Sequence, residues 1–344
     1  MKLTDAIERF ITSRSTGGYA RNTLRNNRSH LMLLAQHLPD REVRRLTADD
    51  VEAAFRAASE GRAPSSMLQV LGTLNLFCEW CRSRNVCPAT WNPTAGIRPP
   101  KAVKRERMRI PVTDFNRIID AAPDGRDRAI LTMALTLMLR QSEIATLTVG
   151  DVNLADGELT VVIHKTNQSD TMPIPVELDR ELRAWLTEYG RHVGCLTDDM
   201  LLFPARRLLG NDRGERGRFR MGQWDFAYEP KAPVRHMETV ARKALEACGY
   251  DLPLQEGMHT LRRSAARALF DRLVGDGYDG AIRMVQAMLH HASIATTERY
   301  IGLTLDRKRR DDLLRGEVMY PLATVQPLRR SDGTANSAGL RQVR

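Results

Sequence analysis

Apolar residues recur at three- and four-residue intervals through the first ninety positions, and that period belongs to helices. Ile7, Phe10 and Ile11 open the series, with Asp5 and Glu8 three residues apart as a capping pair. Leu24, Leu31, Leu34 and Leu38 predict a second helix from about Thr23. Thr47 is placed to cap a third over residues 49–58, and Ser65 and Ser66 to open a fourth that reaches Trp80. No strand-like alternation interrupts them. Residues 1–97 are therefore expected to form one helical domain.

Both periods stop at Trp91-Asn-Pro-Thr-Ala-Gly-Ile-Arg-Pro-Pro, and the stretch from Lys101 to Arg109 is basic without apolar periodicity. Residues 98–110 read as a basic interdomain linker, which fits a solvated tether and a strap along phosphate equally. A second domain is expected over 111–316. It opens with a helix near Thr113 and a very apolar one from about Arg126 to Leu139. A period of two then appears: strands at 149–154, 158–164 and 171–176, with turns at Ala155-Asp156-Gly157 and at 166–169, predict a three-stranded meander. Helices follow at about 177–189, 234–248, 260–274, 279–289 and 294–299, leaving 317–344 as a tail, disordered beyond Arg329. The expected fold is mainly α, with a small antiparallel three-stranded sheet in the second domain.

Length agrees with two domains, since 344 residues exceed one ordinary core. The net charge of +10 favours a polyanionic partner, nucleic acid before membrane. No apolar run approaches the roughly 18 residues of a membrane span, and the polar start (Met1-Lys2-Leu3-Thr4-Asp5) lacks a signal peptide's apolar core. No membrane association and a cytoplasmic location, in the nucleoid or phage-encoded, are expected. Cys78 and Cys81 form a Cys-x-x-Cys pair with Cys87 nearby, but no second ligand pair stands at zinc-finger spacing. Their apolar helical setting predicts small buried side chains instead.

Four strings carry side chains suited to phosphate chemistry. In His259-Thr-Leu-Arg262 the imidazole and guanidinium share one helix face, aimed away from the stripe of Leu261, Ala265, Ala268 and Leu269. By itself that pair fits a solvated polar face as well as a phosphate site. Leu289-His290-His291-Ala-Ser293-Ile294-Ala-Thr296-Thr297-Glu-Arg-Tyr300 must turn near Ser293, which is placed to cap a short helix ending at Tyr300. Leu137-Met138-Leu139-Arg140-Gln-Ser142-Glu143-Ile144 sets an arginine at the end of the most apolar helix, where a charge is costly unless paired. Glu143, three residues on, is placed to hold it. Lys165 stands at the tip of the predicted hairpin. Only seven of the 52 basic residues are lysine, so a lysine there is informative.

In this order and spacing the strings resemble the tyrosine recombinase, or phage integrase, family over nearly the whole chain. That family's site joins an arginine in a Gly-Leu-Arg-x-Ser-Glu motif, a lysine on a β-hairpin, a His-x-x-Arg motif, a second histidine and a tyrosine. The matching residues are Arg140, Lys165, His259, Arg262, His291 and Tyr300. The resemblance implies a core-type DNA-binding domain followed by a catalytic domain, without the arm-binding domain of some phage integrases, as in a simple integrase or an Xer-like enzyme. It also implies double-stranded DNA as substrate, a tetrameric synapse, and room for an accessory or directionality factor. A segment near 303–325, with Leu313, Leu314, Met319, Tyr320 and Leu322, would dock on a neighbouring protomer or pack in cis. Met138 and His290 replace the family's usual glycines, and the Arg262–His291 interval is a few residues long. Two adjacent histidines leave it open which one faces the phosphate, with the spacing to Tyr300 favouring His291.

The expected reaction cleaves and rejoins DNA strands through a 3′-phosphotyrosine intermediate. Arg140 and Arg262 would each offer paired donors to the phosphate oxygens, with His259 and His291 adding more. Cationic neighbours would lower the tyrosine pKa from about 10, and His259 would act as base. Lys165 can release a proton to the leaving 5′-oxygen, which arginine cannot. Neither a metal nor a nucleotide cofactor is expected, because the phosphotyrosine link conserves the energy of the broken bond. The alternatives are a type IB topoisomerase-like relaxing activity and a DNA-binding protein without chemistry.

Overall fold

The computed structural model describes residues 1–39, 41–98, 101, 107–163, 168–208, 226–234, 236–253 and 256–303. Lys165, residues 166 and 167 of the expected turn, and the expectations for the tail beyond residue 303 lie outside them. Contacts divide the chain into two compact units, Met1–Arg105 and Glu106–Arg344.

The first unit is built from α1 (Leu3–Thr16), α2 (Arg21–Ala35), α3 (Ala48–Ser59) and α4 (Pro64–Ser83). Thr47 caps α3 reciprocally: its hydroxyl accepts from the Asp50 amide while the Asp50 carboxylate accepts from the Thr47 amide. Two other starts differ from expectation. α1 begins at Leu3, so Asp5 lies within its first turn, where a carboxylate suits the helix dipole rather than capping it. α4 begins with Pro64 at its first position, its missing N–H being one the helix would leave unpaired anyway. The apolar faces meet in a core around Ile7, Phe10, Leu34, Val51, Leu74 and Phe77. Cys78, Cys81 and Cys87 are free and buried in the same core, and burial pushes the Cys78 thiol up to about 12.

The second unit contains α5 (Phe115–Asp120), α6 (Gly125–Thr136), α7 (Gln141–Ile144), α8 (Val176–Val193), α9 (Met237–Ala247), α10 (Met258–Leu273), α11 (Tyr278–Met288) and α12 (Ile294–Tyr300). α6 is buried on nearly all sides, which is why its sequence reads apolar rather than amphipathic. It ends at Thr136, earlier than its apolar run suggested, and Met138 turns into the left-handed region at φ 52°. Arg140 thus stands at the start of α7, not at the end of α6.

The predicted meander forms in the order β1-β2-β3, with β1 (Val152–Asn153), β2 (Glu158–Ile163) and β3 (Gln168–Pro173). β1 is shorter than expected because Val149–Asp151 is a 3₁₀ turn held by Thr148 and Asp151. β3 starts three residues early and stops at Pro173, which lacks an N–H for the ladder. A second, two-stranded sheet was not foreseen: β4 (Pro204–Leu208) pairs with β5 (Phe226–Pro233). Prolines and arginines mask its alternation, and its one signal is Phe226 and Tyr228 on a shared face. Tyr228 packs edge-on against the stacked Trp185 and Tyr189 rings. The indole of Trp185 donates to the Leu202 carbonyl at 2.8 Å.

The expected linker also ends earlier than residue 110. Ile110 is buried in the second unit, its amide donates to Ser264 Oγ at 2.9 Å, and Arg263 donates to the Met108 carbonyl. These bonds fasten residues 108–110 along α10.

Candidate active site

Two arginines far apart in sequence meet on one carboxylate and one carbonyl. At the start of α7, Arg140 donates from Nη1 to Glu143 Oε1 at 2.7 Å, and its backbone amide donates to Glu143 Oε2 at 2.7 Å. Arg262, on α10, brings Nη1 to 3.6 Å from that same Oε2. Both also donate to the Leu289 carbonyl, Arg140 at 3.3 Å and Arg262 at 2.8 Å. Leu289 caps the C-terminus of α11, where the helix dipole favours cations. Glu143 is 1 % exposed and Arg262 2 %. The expectation that Arg262 would point away from the core is therefore corrected: it forms the floor of the site. Burial lowers its pKa to about 10. A cation in that state is destabilising throughout neutral pH, so the fold retains charge here at a cost.

The turn after α11 separates the two histidines. His291 presents its ring edge-on to Tyr300, with centroids 5.3 Å apart at 85°. Its Nδ1 lies 3.1 Å from Thr297 Oγ1, a hydroxyl able to donate to the ring and so leave the other ring nitrogen carrying the proton. His290 turns the other way, with Nε2 2.8 Å from Asp170 Oδ2 on β3. Ser293 caps α12 by accepting from the Thr296 amide. That short helix ends at Tyr300, whose hydroxyl reaches the His259 carbonyl at 3.5 Å, the outer limit of a hydrogen bond.

Burial raises the Tyr300 pKa, and Arg262, Arg263 and Arg140 only partly oppose it. This reverses the expected sign: in the DNA-free protein, desolvation outweighs the cationic neighbours. The exposed His259 imidazole is shifted down, first by the protein packed beneath it and then by Arg262. Arg140, His259, Arg262, His291 and Tyr300 are thus brought together from three separate stretches of the chain; Lys165 lies outside the described residues. Sequence reasoning missed that Glu143 serves both arginines. It also missed the Leu289 carbonyl and the Thr297 contact, which carry no local signal.

The two positions where the chain departs from the family's glycines, Met138 (φ 52°) and His290 (φ 48°), are both left-handed. Glycine adopts that conformation freely, whereas other residues lose about 1–2 kcal/mol there.

Residues 109–306, more than half the chain, match the model of the phage integrase family. The chain belongs to the phage integrase family. Tyrosine recombinase XerC of Chromobacterium violaceum is 27% identical over 310 residues, covering 88% of this chain and 91% of that protein. Tyrosine recombinase XerD of Ralstonia nicotianae is 29% identical over 317 residues, covering 89% and 92%. In fold, this integrase-family chain resembles a lambda integrase (75–356) dimer bound to a COC′ core site, with TM-score 0.63 and 19% identity over 88% of this chain and 95% of that one. It also resembles the Tn1549 transposon integrase in complex with transposon right end DNA, with TM-score 0.61 and 13% identity over 91% and 98%.

Gly302, two residues past Tyr300, has φ 80°, and a Cβ there would stand 3.3 Å from Arg109 Nη2. Gly302→Ala is expected to cost about 1 kcal/mol, roughly 2–4 °C in Tm for a domain of this size. Because it also displaces the end of α12, it should slow reaction at Tyr300. Thermal denaturation beside an activity assay checks both, and unchanged values in both would refute the prediction.

Proposed function

We propose that this tyrosine recombinase cleaves DNA at a specific site by attack of the Tyr300 hydroxyl on a phosphodiester, leaving a 3′-phosphotyrosine link and a free 5′-hydroxyl. Attack by a second 5′-hydroxyl then reverses the chemistry on a new partner strand. One observation carries the assignment: Arg140 and Arg262 share Glu143 and the Leu289 carbonyl beside Tyr300. Held that way, their remaining N–H groups can meet the two non-bridging phosphate oxygens as charge builds on them. Entry of the phosphate would also offset the cost of burying Arg262. His291 lies at the edge of the nucleophile, positioned to donate to the same phosphate. Lys165 is assigned as proton donor to the departing oxygen.

The raised pKa of Tyr300 keeps its hydroxyl protonated at neutral pH, so a base must take the proton as the O–P bond forms. His259 is the assigned base: with its pKa below 6.5 it is neutral and able to accept at pH 7. The rate of covalent attachment at subsaturating DNA should therefore rise with pH, level off beyond a midpoint below 6.5, and lose that limb in His259→Asn. A midpoint at or above 7 would sink this role.

Double-stranded DNA as substrate and a tetrameric synapse follow in this reading from the relatives. One is described as a lambda integrase tetramer bound to a Holliday junction, with TM-score 0.62 and 19% identity to this chain. Work on chromosomal or phage DNA implies a cytoplasmic site of action, with an accessory or directionality factor as a further partner. Among the described residues, no helix is long and apolar enough to cross a membrane. The test is covalent trapping. Purified protein is incubated with nicked duplex fragments of the source genome, denatured in detergent, and probed for DNA-linked protein. Sequencing the trapped DNA identifies the site, whereas binding without any adduct refutes the covalent reading.

A further inference from the structure

The turn between α11 and α12 is tied to the rest of the site on one side only by residues already assigned. Its Leu289 carbonyl receives Arg140 and Arg262, and its His291 ring lies against Tyr300. On the other side stands His290, in a conformation that favours glycine. A side chain kept at a strained backbone position has to contribute something that glycine would not. Here the contribution is visible: Nε2 lies 2.8 Å from Asp170 Oδ2, and the imidazole is only 15 % exposed. Asp170 pairs with Val161 in the β2–β3 ladder, two residue pairs from the end that leads into residues 164–167. Those four residues contain Lys165.

We propose that His290 is a positioning residue, and that its bond to Asp170 clasps the β2–β3 hairpin to the turn bearing His291 and the Leu289 carbonyl. The clasp sets the spacing between the phosphate-binding side of the site and the hairpin that supplies the leaving-group proton. It rests on the assignment of Lys165 as that donor. A glycine at position 290 allows the same turn but leaves the hairpin untied. The link is local, so removing it should affect proton delivery and spare DNA binding and the fold. His290→Gly also relieves the backbone strain, so this variant is not expected to unfold.

Two measurements test this on His290→Gly, Asp170→Asn and the double variant. The first is hydrogen exchange of the DNA-free protein. Each single variant should speed exchange in both 168–173 and 289–293, and the double variant no more than either. The second is the rate of covalent attachment to a nicked duplex trapped by the wild-type protein, made with either a 5′-bridging oxygen or a 5′-bridging sulfur. A thiolate leaves without a proton, because its conjugate acid is far stronger than an alcohol. Each variant should slow reaction on the oxygen substrate by about ten- to a hundredfold. They should be non-additive and lie within about twofold of wild type on the sulfur substrate. Exchange confined to the mutated segment, additive losses, or equal slowing on both substrates overturns the clasp. Lys165→Ala separates the two readings. If sulfur fails to rescue that variant, the donor assignment falls, while shared exchange and non-additivity still decide whether the clasp exists.

Discussion

Tyr300→Phe is expected to abolish covalent attachment to DNA, by at least about 10³-fold, while leaving folding and DNA affinity nearly unchanged. The magnitude follows from removing the atom proposed to bond to phosphorus. The selectivity follows from the structure. The hydroxyl reaches the His259 carbonyl at 3.5 Å and bonds to the Arg262 guanidinium, so its loss should cost about 1 kcal/mol, small beside the loss of chemistry. The ring edge against His291 is retained by phenylalanine. Detergent-resistant adducts on nicked duplexes, measured beside Tm and equilibrium DNA binding, separate the outcomes. An adduct from the phenylalanine protein would move the nucleophile elsewhere, with Tyr320 the first candidate.

The second large effect is at Glu143. Its carboxylate, itself 1 % exposed, takes the Arg140 guanidinium and amide and lies 3.6 Å from Arg262. Glu143→Ala strips two cations of their common counter-charge, one of them nearly inaccessible to water. Removing one partner of a buried ion pair costs about 3–5 kcal/mol, here roughly 6–20 °C in Tm. Glu143→Gln keeps the shape and part of the hydrogen bonding and should fall between. Activity should drop further than stability explains, by about a hundredfold at temperatures where the variant is folded, because the guanidinium groups lose their common orientation. A Glu143→Ala protein within about 1 kcal/mol of wild type would show that Leu289 and solvent suffice to hold the arginines. The carboxylate would then not be the keystone of the site.

Much of the molecule was legible in the chain itself. The caps at Thr47 and Ser293 and the spans of α8 to α12 rest on hydrogen bonds and apolar spacing within a few residues, so local patterning was enough for them. The order of the strings bearing Arg140, His259, Arg262, His291 and Tyr300 was equally plain, because chemistry-bearing side chains at motif spacing need no tertiary knowledge to be noticed. Errors appeared where packing overrides propensity. The apolar run of α6 continues past the helix end, since a buried segment stays apolar whether helical or not. The sheet of β4 and β5 hid behind prolines that only its pairing explains.

Tertiary structure alone decided the relations within the site. Glu143 serves Arg262 because α10, more than a hundred residues further along the chain, packs on α6, the helix that leads into α7. His291 rather than His290 faces Tyr300 because the turn passes through φ 48° at His290 and sends the two rings in opposite directions. The Tyr300 pKa rises instead of falling because desolvation depends on everything packed around a group, whereas sequence shows only which charges are available to come near it.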